Sequence, residues 1–344
     1  MGVVYALCAL LSVATSATRA AEFDPRFAAS RSVERFSEVD QVSAPSSVAT
    51  ESVPEVTPGD EQVAVVSATS DATGLCGSGS KLVWHDDFVS SKSVKEQWNY
   101  VIGDGCDYGI CGWGNNELEV YTNSTKNVRV SNGNLQIVAR MQGKTFTSGK
   151  VRTFNKFAVR PVGKETIRID ARVKMPLGVG LWPSINLLPE DSPEFCLGCG
   201  YYGDWPQSGA ITLSQRLNKD KDYTGGILYG GVAPSVAAST FSQKIASEPT
   251  GYHTYTLEWS SSKMKWKLDG KTVYTAKSGQ GNPEKGWYSL GQNATKNSPF
   301  DKPFYIMIGM ALGGDQTGAS AKQVQRTLKN PQAMQIEYIR VCSQ

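Results

Sequence analysis

The chain has 344 residues, of which 40% are hydrophobic and 19% charged, a composition that argues against full-length disorder and against a fibrous protein. No apolar run reaches transmembrane length, so no membrane span is expected. The net charge of +3 is uneven, with ten acids against three bases in residues 21–80 and 31 bases against 22 acids in residues 81–344. Those bases alternate with other residues instead of clustering, so no nucleic-acid-binding face is expected either.

Residues Val3 to Val13 form a short apolar stretch, and small residues follow through Ala20 and Ala21. This reads as a secretory signal over residues 1–20, cleaved after Ala17 or Ala20, with only the α-amino group supplying positive charge ahead of it. From Ser37 to Val83 there is no aromatic residue, and no Lys or Arg lies between Arg35 and Lys81. Such an acidic Ser/Thr/Val/Pro segment cannot bury enough apolar area to offset its chain entropy. Residues 21–80 are therefore expected to be a linker, stalk or propeptide, and residues 81–344 the folded domain.

Cys8 would leave with the signal, so six cysteines remain, and six in an exported chain suggest three bridges among fifteen possible pairings. The economical pairing staples Cys106 to Cys111 and Cys196 to Cys199 locally and ties Cys76 to Cys342 across the domain. A zinc site is not expected, because only Cys196 and Cys199 have a metal-like gap and the chain has two histidines. Asn123 and Asn293 open glycosylation sequons, which have meaning only for an exported chain.

From Trp84 onward the dominant period is two. Ile167, Ile169, Ala171, Val173 and Met175 alternate with Thr166, Arg168, Asp170, Arg172 and Lys174, the signature of a half-buried antiparallel strand. His253, Tyr255, Leu257 and Trp259 repeat the pattern, and Met264, Trp266 and Leu268 follow after a Ser260–Ser262 turn. Val128 and Val130 face Leu135 and Ile137 across an Asn132-Gly133 turn. No helical segment of any length stands out. The expected architecture is an all-β sandwich, which leaves function open.

Several segments carry a family resemblance. They are Leu82-Val-Trp-His-Asp-Asp-Phe, Trp113-Gly-Asn-Asn-Glu-Leu-Glu-Val-Tyr-Thr, Gly178-Val-Gly-Leu-Trp-Pro-Ser and Asp204-Trp-Pro-Gln-Ser-Gly. His253-Thr-Tyr-Thr-Leu-Glu-Trp, Asp301-Lys-Pro-Phe-Tyr and Ile336-Glu-Tyr-Ile-Arg-Val complete the series. In this order, from about residue 81 to the end, the chain resembles glycoside hydrolase family 16, in particular its β-1,3-glucanase branch and the glucan-recognition proteins derived from it. The resemblance implies a jelly-roll β-sandwich of two curved antiparallel sheets.

It also implies where the chemistry should lie. Active members carry Glu-x-Asp-x-Glu, or the same motif with one bulged residue, on the strand after Trp-Pro-x-Ser-Gly. Alternate strand residues project to one face, so three carboxyls line up there, and a bulge re-aims the third. A retaining glycosidase needs its two carboxyls roughly 5–5.5 Å apart. Here the strand reads Gly209-Ala210-Ile211-Thr212-Leu213-Ser214-Gln215-Arg216. In the bulged register Ala210, Thr212 and Gln215 occupy the three places; in the other, Ser214 takes the third. Neither register leaves a carboxylate on that face. Alanine cannot attack an anomeric carbon, and glutamine cannot protonate a leaving oxygen.

What the resemblance leaves is a cleft for β-glucan. Trp182 and Trp205 match family tryptophans lining the groove, on which sugar C–H faces stack. Asn116, Arg152 and His253 match polar family positions beside it. The usual second tryptophan after Trp-Pro is Asn186 here. Trp113, Trp259 and Trp266 are expected to pack in the core or rim, and Glu117 and Glu258 to serve structure. The expected function is a secreted, non-catalytic β-glucan-binding protein. The alternatives are a glycoside hydrolase or transglycosylase with unorthodox residues, and a structural or protein-binding scaffold. No cofactor is expected, and the sequence is silent on the structural calcium ion some relatives hold.

Overall fold

The computed structural model describes residues 74–191, 199–231, 236–246 and 248–344. The expected signal segment and most of the expected linker lie outside these residues, as do Glu194 and Cys196.

Two sheets pack face to face. The first runs, neighbour to neighbour, through Lys271–Lys277, Lys263–Leu268, Tyr252–Ser260, Thr166–Lys174, Gln332–Ser343, Asn134–Gln142, Thr145–Ser148 and Glu119–Tyr121. The second runs through Val236–Lys244, Asp222–Gly230, Ala210–Gln215, Leu181–Pro189, Phe304–Leu312, Lys150–Arg152 and Asn99–Tyr100. This is the jelly-roll sandwich. Helices are confined to short turns, the longest being Ser91–Gln97 and Ala321–Thr327. One pairing departs from the antiparallel expectation: Glu119–Tyr121 runs parallel to Thr145–Ser148. The chain between them forms the hairpin of Val128–Ser131 with Asn134–Gln142 and so returns in the same direction.

The alternating strands fold as their period dictates. Ile167, Ile169, Ala171, Val173 and Met175 are all buried in the main core between the sheets. Leu257 and Trp259 join them from Tyr252–Ser260, and Trp266 from Lys263–Leu268. From the first sheet, the Trp266 indole crosses that core and donates to the Thr212 carbonyl at 2.9 Å. A buried indole without such a partner would be costly, so this bond also fixes the height of the Ala210–Gln215 strand.

The second sheet is apolar on both faces. Ile185, Leu187, Ile211, Leu213, Ile306 and Ile308 enter the main core, while Trp182, Leu188, Ala210, Leu228, Met307 and Ala311 form a separate cluster on the opposite face. That second face is the one the site uses.

Candidate functional site

The strand Ala210–Gln215 carries one surplus residue. Against Asp222–Gly230, Thr212 pairs with Gly226 and Gln215 with Thr224, so three steps on one strand match two on the other. Against Leu181–Pro189, Ile185 pairs with Ser214 but Asn186 with Thr212. Both mismatches place a bulge at Leu213 and Ser214, which restores Gln215 to the face shared by Ala210 and Thr212. Gly209, at φ +79°, sets the entry to this strand, and a Cβ there would lie 2.7 Å from the Pro299 ring.

Hydrogen bonds tie this face to the neighbouring strand. The Trp182 indole donates to Gln215 Oε1 at 3.0 Å, and the Thr212 hydroxyl donates to Asn186 Oδ1 at 3.0 Å. Asn186 in turn donates to the Ser184 hydroxyl at 3.1 Å. The floor is thus an amide and hydroxyl network beside an indole, with every polar member paired, as a buried network requires. A pocket opens on this face among Glu117, Lys150, Trp182, Asn186, Met307 and Ala311. As a cavity it is small, about 20 Å³, room for roughly one water.

The expected site residues are placed unequally. Trp182 lines the pocket, and Trp205 packs in the same cluster, with Trp182 3% and Trp205 5% exposed. Arg152 is buried at the end of Lys150–Arg152, its guanidinium 4.7 Å from the centre of the Phe154 ring. Asn116 is exposed on the loop before Glu119–Tyr121 and donates to both Asp315 oxygens at 3.1 Å. His253 is set apart. It belongs to the other sheet, where its Nδ1 meets Asp269 Oδ2 at 2.8 Å and its Nε2 meets the Glu248 carbonyl at 3.2 Å. Its place in Tyr252–Ser260, in step with Tyr255, Leu257 and Trp259, leaves the main core and the second sheet between it and the pocket.

Disulfides join Cys76 to Cys342 and Cys106 to Cys111. Cys199 is also disulfide-bonded, and its expected partner Cys196 lies outside the described residues. Asn123 and Asn293 are exposed. Among the described residues, no three His, Cys, Asp or Glu side chains gather to hold a metal ion.

Glu190, at the end of the strand that carries Trp182, accepts from the Asn155 backbone N–H at 2.7 Å. Burial pushes its carboxyl up to about 7, with the Asn155 bond and the Arg152 charge opposing. A raised value means the folded state holds the proton more tightly. The stability this gives is complete below about pH 4.5 and lost as the pH climbs through about 7. Glu190→Gln, which stays neutral, should therefore match the wild type near pH 4 and exceed it at about pH 8 by about 1–2 kcal/mol, after discounting for partial exposure. Urea denaturation at both pH values checks this; an equal difference at both would refute it.

Sequence reasoning passed over Glu119 and Lys150. The signal was there for the first: Glu117, Glu119 and Tyr121 alternate with Leu118 and Val120, so they share a face. Nothing local marks Lys150 as a pocket residue.

A family model described as glycosyl hydrolases family 16 matches residues 233–339. The chain is 33% identical to glucan endo-1,3-beta-glucosidase A1 of Niallia circulans, over 77% of this chain but only 38% of that protein's length. It is 32% identical to a glucan endo-1,3-beta-glucosidase of Cryptopygus antarcticus, over 69% of this chain and 82% of that one. A beta-1,3-glucan-binding protein of Penaeus monodon is 29% identical over 49% of this chain and 47% of its own. Among solved structures, the laminarinase of Flavobacterium sp. UMI-01 superposes with a TM-score of 0.60 and 29% identity, over 76% of this chain and 99% of that one.

Proposed function

The chain belongs to glycosyl hydrolases family 16, and within that family we propose that it is a secreted β-glucan-binding protein without hydrolytic activity. The observation that carries this reading is the face of Ala210–Gln215. With the bulge in place Ala210, Thr212 and Gln215, a methyl, a hydroxyl and an amide, share one side of the strand, all of them buried, where the family motif would put three carboxyls. None can act as nucleophile or acid toward a glycoside.

The acids nearest the pocket do not replace them. Glu117 lines the pocket, and Glu119, two residues on and buried behind it, interacts with it directly. A retaining mechanism needs its carboxyls roughly 5–5.5 Å apart on either side of the scissile bond. Binding has support of a different kind: an indole, one amide, a lysine and an acid converge on one apolar concavity, the mixture that sugar sites use. A relative named for β-1,3-glucan binding fits this reading, and the disulfides fit export.

The test is retention of the purified protein on insoluble β-1,3-glucan, competed by soluble laminarin, with reducing-end release from laminarin measured in parallel. Retention without release is the expected result. Release of reducing ends would return the protein to the hydrolases. A second reading, a scaffold whose groove takes no sugar, has one observation in its favour: the near-complete burial of Trp182 and Trp205. Failure of retention on any β-glucan would select it.

A further inference from the structure

An acid on the pocket wall and a second one behind it have an unusual arrangement. Glu117 and Glu119 project to the same side of the extended chain at Glu119–Tyr121 and are 6% and 1% exposed. Each has one oxygen held by a single donor: Asn115 Nδ2 reaches Glu117 Oε1 at 2.9 Å, and the Leu312 N–H reaches Glu119 Oε2 at 2.7 Å. Glu117 Oε2 is buried without a further hydrogen-bond donor, and the Tyr121 hydroxyl lies beside the Glu119 carboxyl. The two carboxyls are within hydrogen-bond reach of each other. Two anionic carboxylates cannot rest together in a wall of low dielectric, whereas one proton between them converts repulsion into a hydrogen bond.

The second observation is Lys150. It is 5% exposed, lines the same pocket, and sets its ammonium on ring faces, 4.4 Å from the centre of Trp113 and 4.2 Å from that of Tyr121. One positive charge therefore stands beside a pair that, with one proton, carries one negative charge. Other charged groups are turned elsewhere: Asp315 accepts from Asn116, and Arg152 stacks on Phe154. The neighbouring strands Leu181–Pro189 and Phe304–Leu312 contain no charged residue.

We propose that Glu117 and Glu119 hold one proton between them, and that this pair and Lys150 form a net-neutral polar wall that receives the hydroxyls of an uncharged sugar ring. The proposal rests on the β-glucan-binding reading for its ligand, though not for the proton. Glu117 and Lys150 line the pocket and offer an acceptor and a donor; Glu119, buried behind them, is the positioning residue. Burial and the charge of Glu117 push the Glu119 carboxyl well above the usual range, while Lys150 and Tyr121 pull it down.

Glu119→Gln separates the alternatives, because its amide N–H can replace the shared proton and cannot ionise. In the full-length protein this variant should bind a β-1,3-linked glucohexaose within about twofold of wild type at neutral pH. Wild-type affinity should fall about tenfold at alkaline pH, where a second ionisation leaves the wall negative, and the variant should fall less. Thermal melting gives a reading without sugar. The raised carboxyl gives stability that is present below the ordinary glutamate value and lost as pH rises, so the wild-type melting temperature should drop with pH more steeply than that of the variant. Identical slopes would overturn the shared proton. Different slopes with no glucohexaose bound to either protein would keep it and defeat the β-glucan reading. Should Glu119→Gln fail to fold, infrared spectra of glutamate-labelled Glu190→Gln protein decide the matter, because Glu190, raised to about 7, would otherwise add a protonated-carboxyl band of its own. A protonated-carboxyl band at neutral pH supports the pair, and its absence overturns it.

Discussion

Trp182→Ala should weaken retention on β-1,3-glucan by about thirtyfold, the effect of removing about 2 kcal/mol of binding at an aromatic anchor. Trp182 is the one indole that both lines the pocket and reaches across to the strand of Ala210 and Gln215. Its removal deletes the stacking surface and leaves Gln215 Oε1 without the indole donor, so the floor loses shape as well as area. Because Trp182 is nearly buried, truncation also opens a cavity and lowers stability by about 3 kcal/mol or more. Binding must therefore be measured well below the melting point of the variant. Trp182→Phe is the control: it keeps an aromatic face, gives up the N–H, and should lose less affinity than the alanine. Unchanged retention in both variants would remove Trp182 from the site.

Replacing Cys76 and Cys342 together by alanine should cost about 5 kcal/mol, the largest stability loss expected from any pair in the domain. The bridge closes a loop spanning 266 residues, so it restrains almost the whole described chain in the unfolded state. It also ties down the segment that leads into the strand Lys81–Asp86, which pairs only with Gln332–Ser343 and would otherwise be free to peel away. Cys76 and Cys342 are buried with Leu82 in a small cluster of their own, so packing is lost with the bond. The Cys106–Cys111 bridge spans five residues and by the same reasoning gives only about 2 kcal/mol. Denaturant midpoints of the two double variants rank these effects, and equal midpoints would contradict the loop-length argument.

How far the molecule could be read from its residues depended on whether each strand has a wet face. Thr166–Lys174, Tyr252–Ser260 and Lys263–Leu268 alternate polar with apolar residues because one side of the first sheet meets water, and these strands formed where the alternation said. Phe304–Leu312 gave no such signal, since a central strand buried on both faces reads as a continuous apolar run. The site shows the same limit. Trp182 and Trp205, expected from family resemblance, share one cluster, and Arg152 meets it only through the Phe154 ring. His253 had the right residue type but sits on the wrong sheet, and nothing in its own strand distinguishes a groove histidine from one that meets Asp269. Glu119 and Lys150 became functional candidates only when the fold set Lys150–Arg152 and Phe304–Leu312 beside the chain at Glu119.

The surplus residue at Leu213 and Ser214 decides the address of every side chain after it, and so separates chemistry from scaffolding at this position. Exchanging the Gln215 amide for an acid, as in Gln215→Glu, would deliver a carboxyl against the Trp182 indole with no movement of main chain. Removing Leu213 or Ser214 would take out the bulge and leave the amide two places after Thr212, on the same face, whereas adding a residue there would turn Gln215 toward the hydrocarbon interior and break the partnership. The frame is tolerant of substitution and of losing the surplus residue but not of gaining another, so any engineered change of purpose here should proceed by swapping heads on fixed stems.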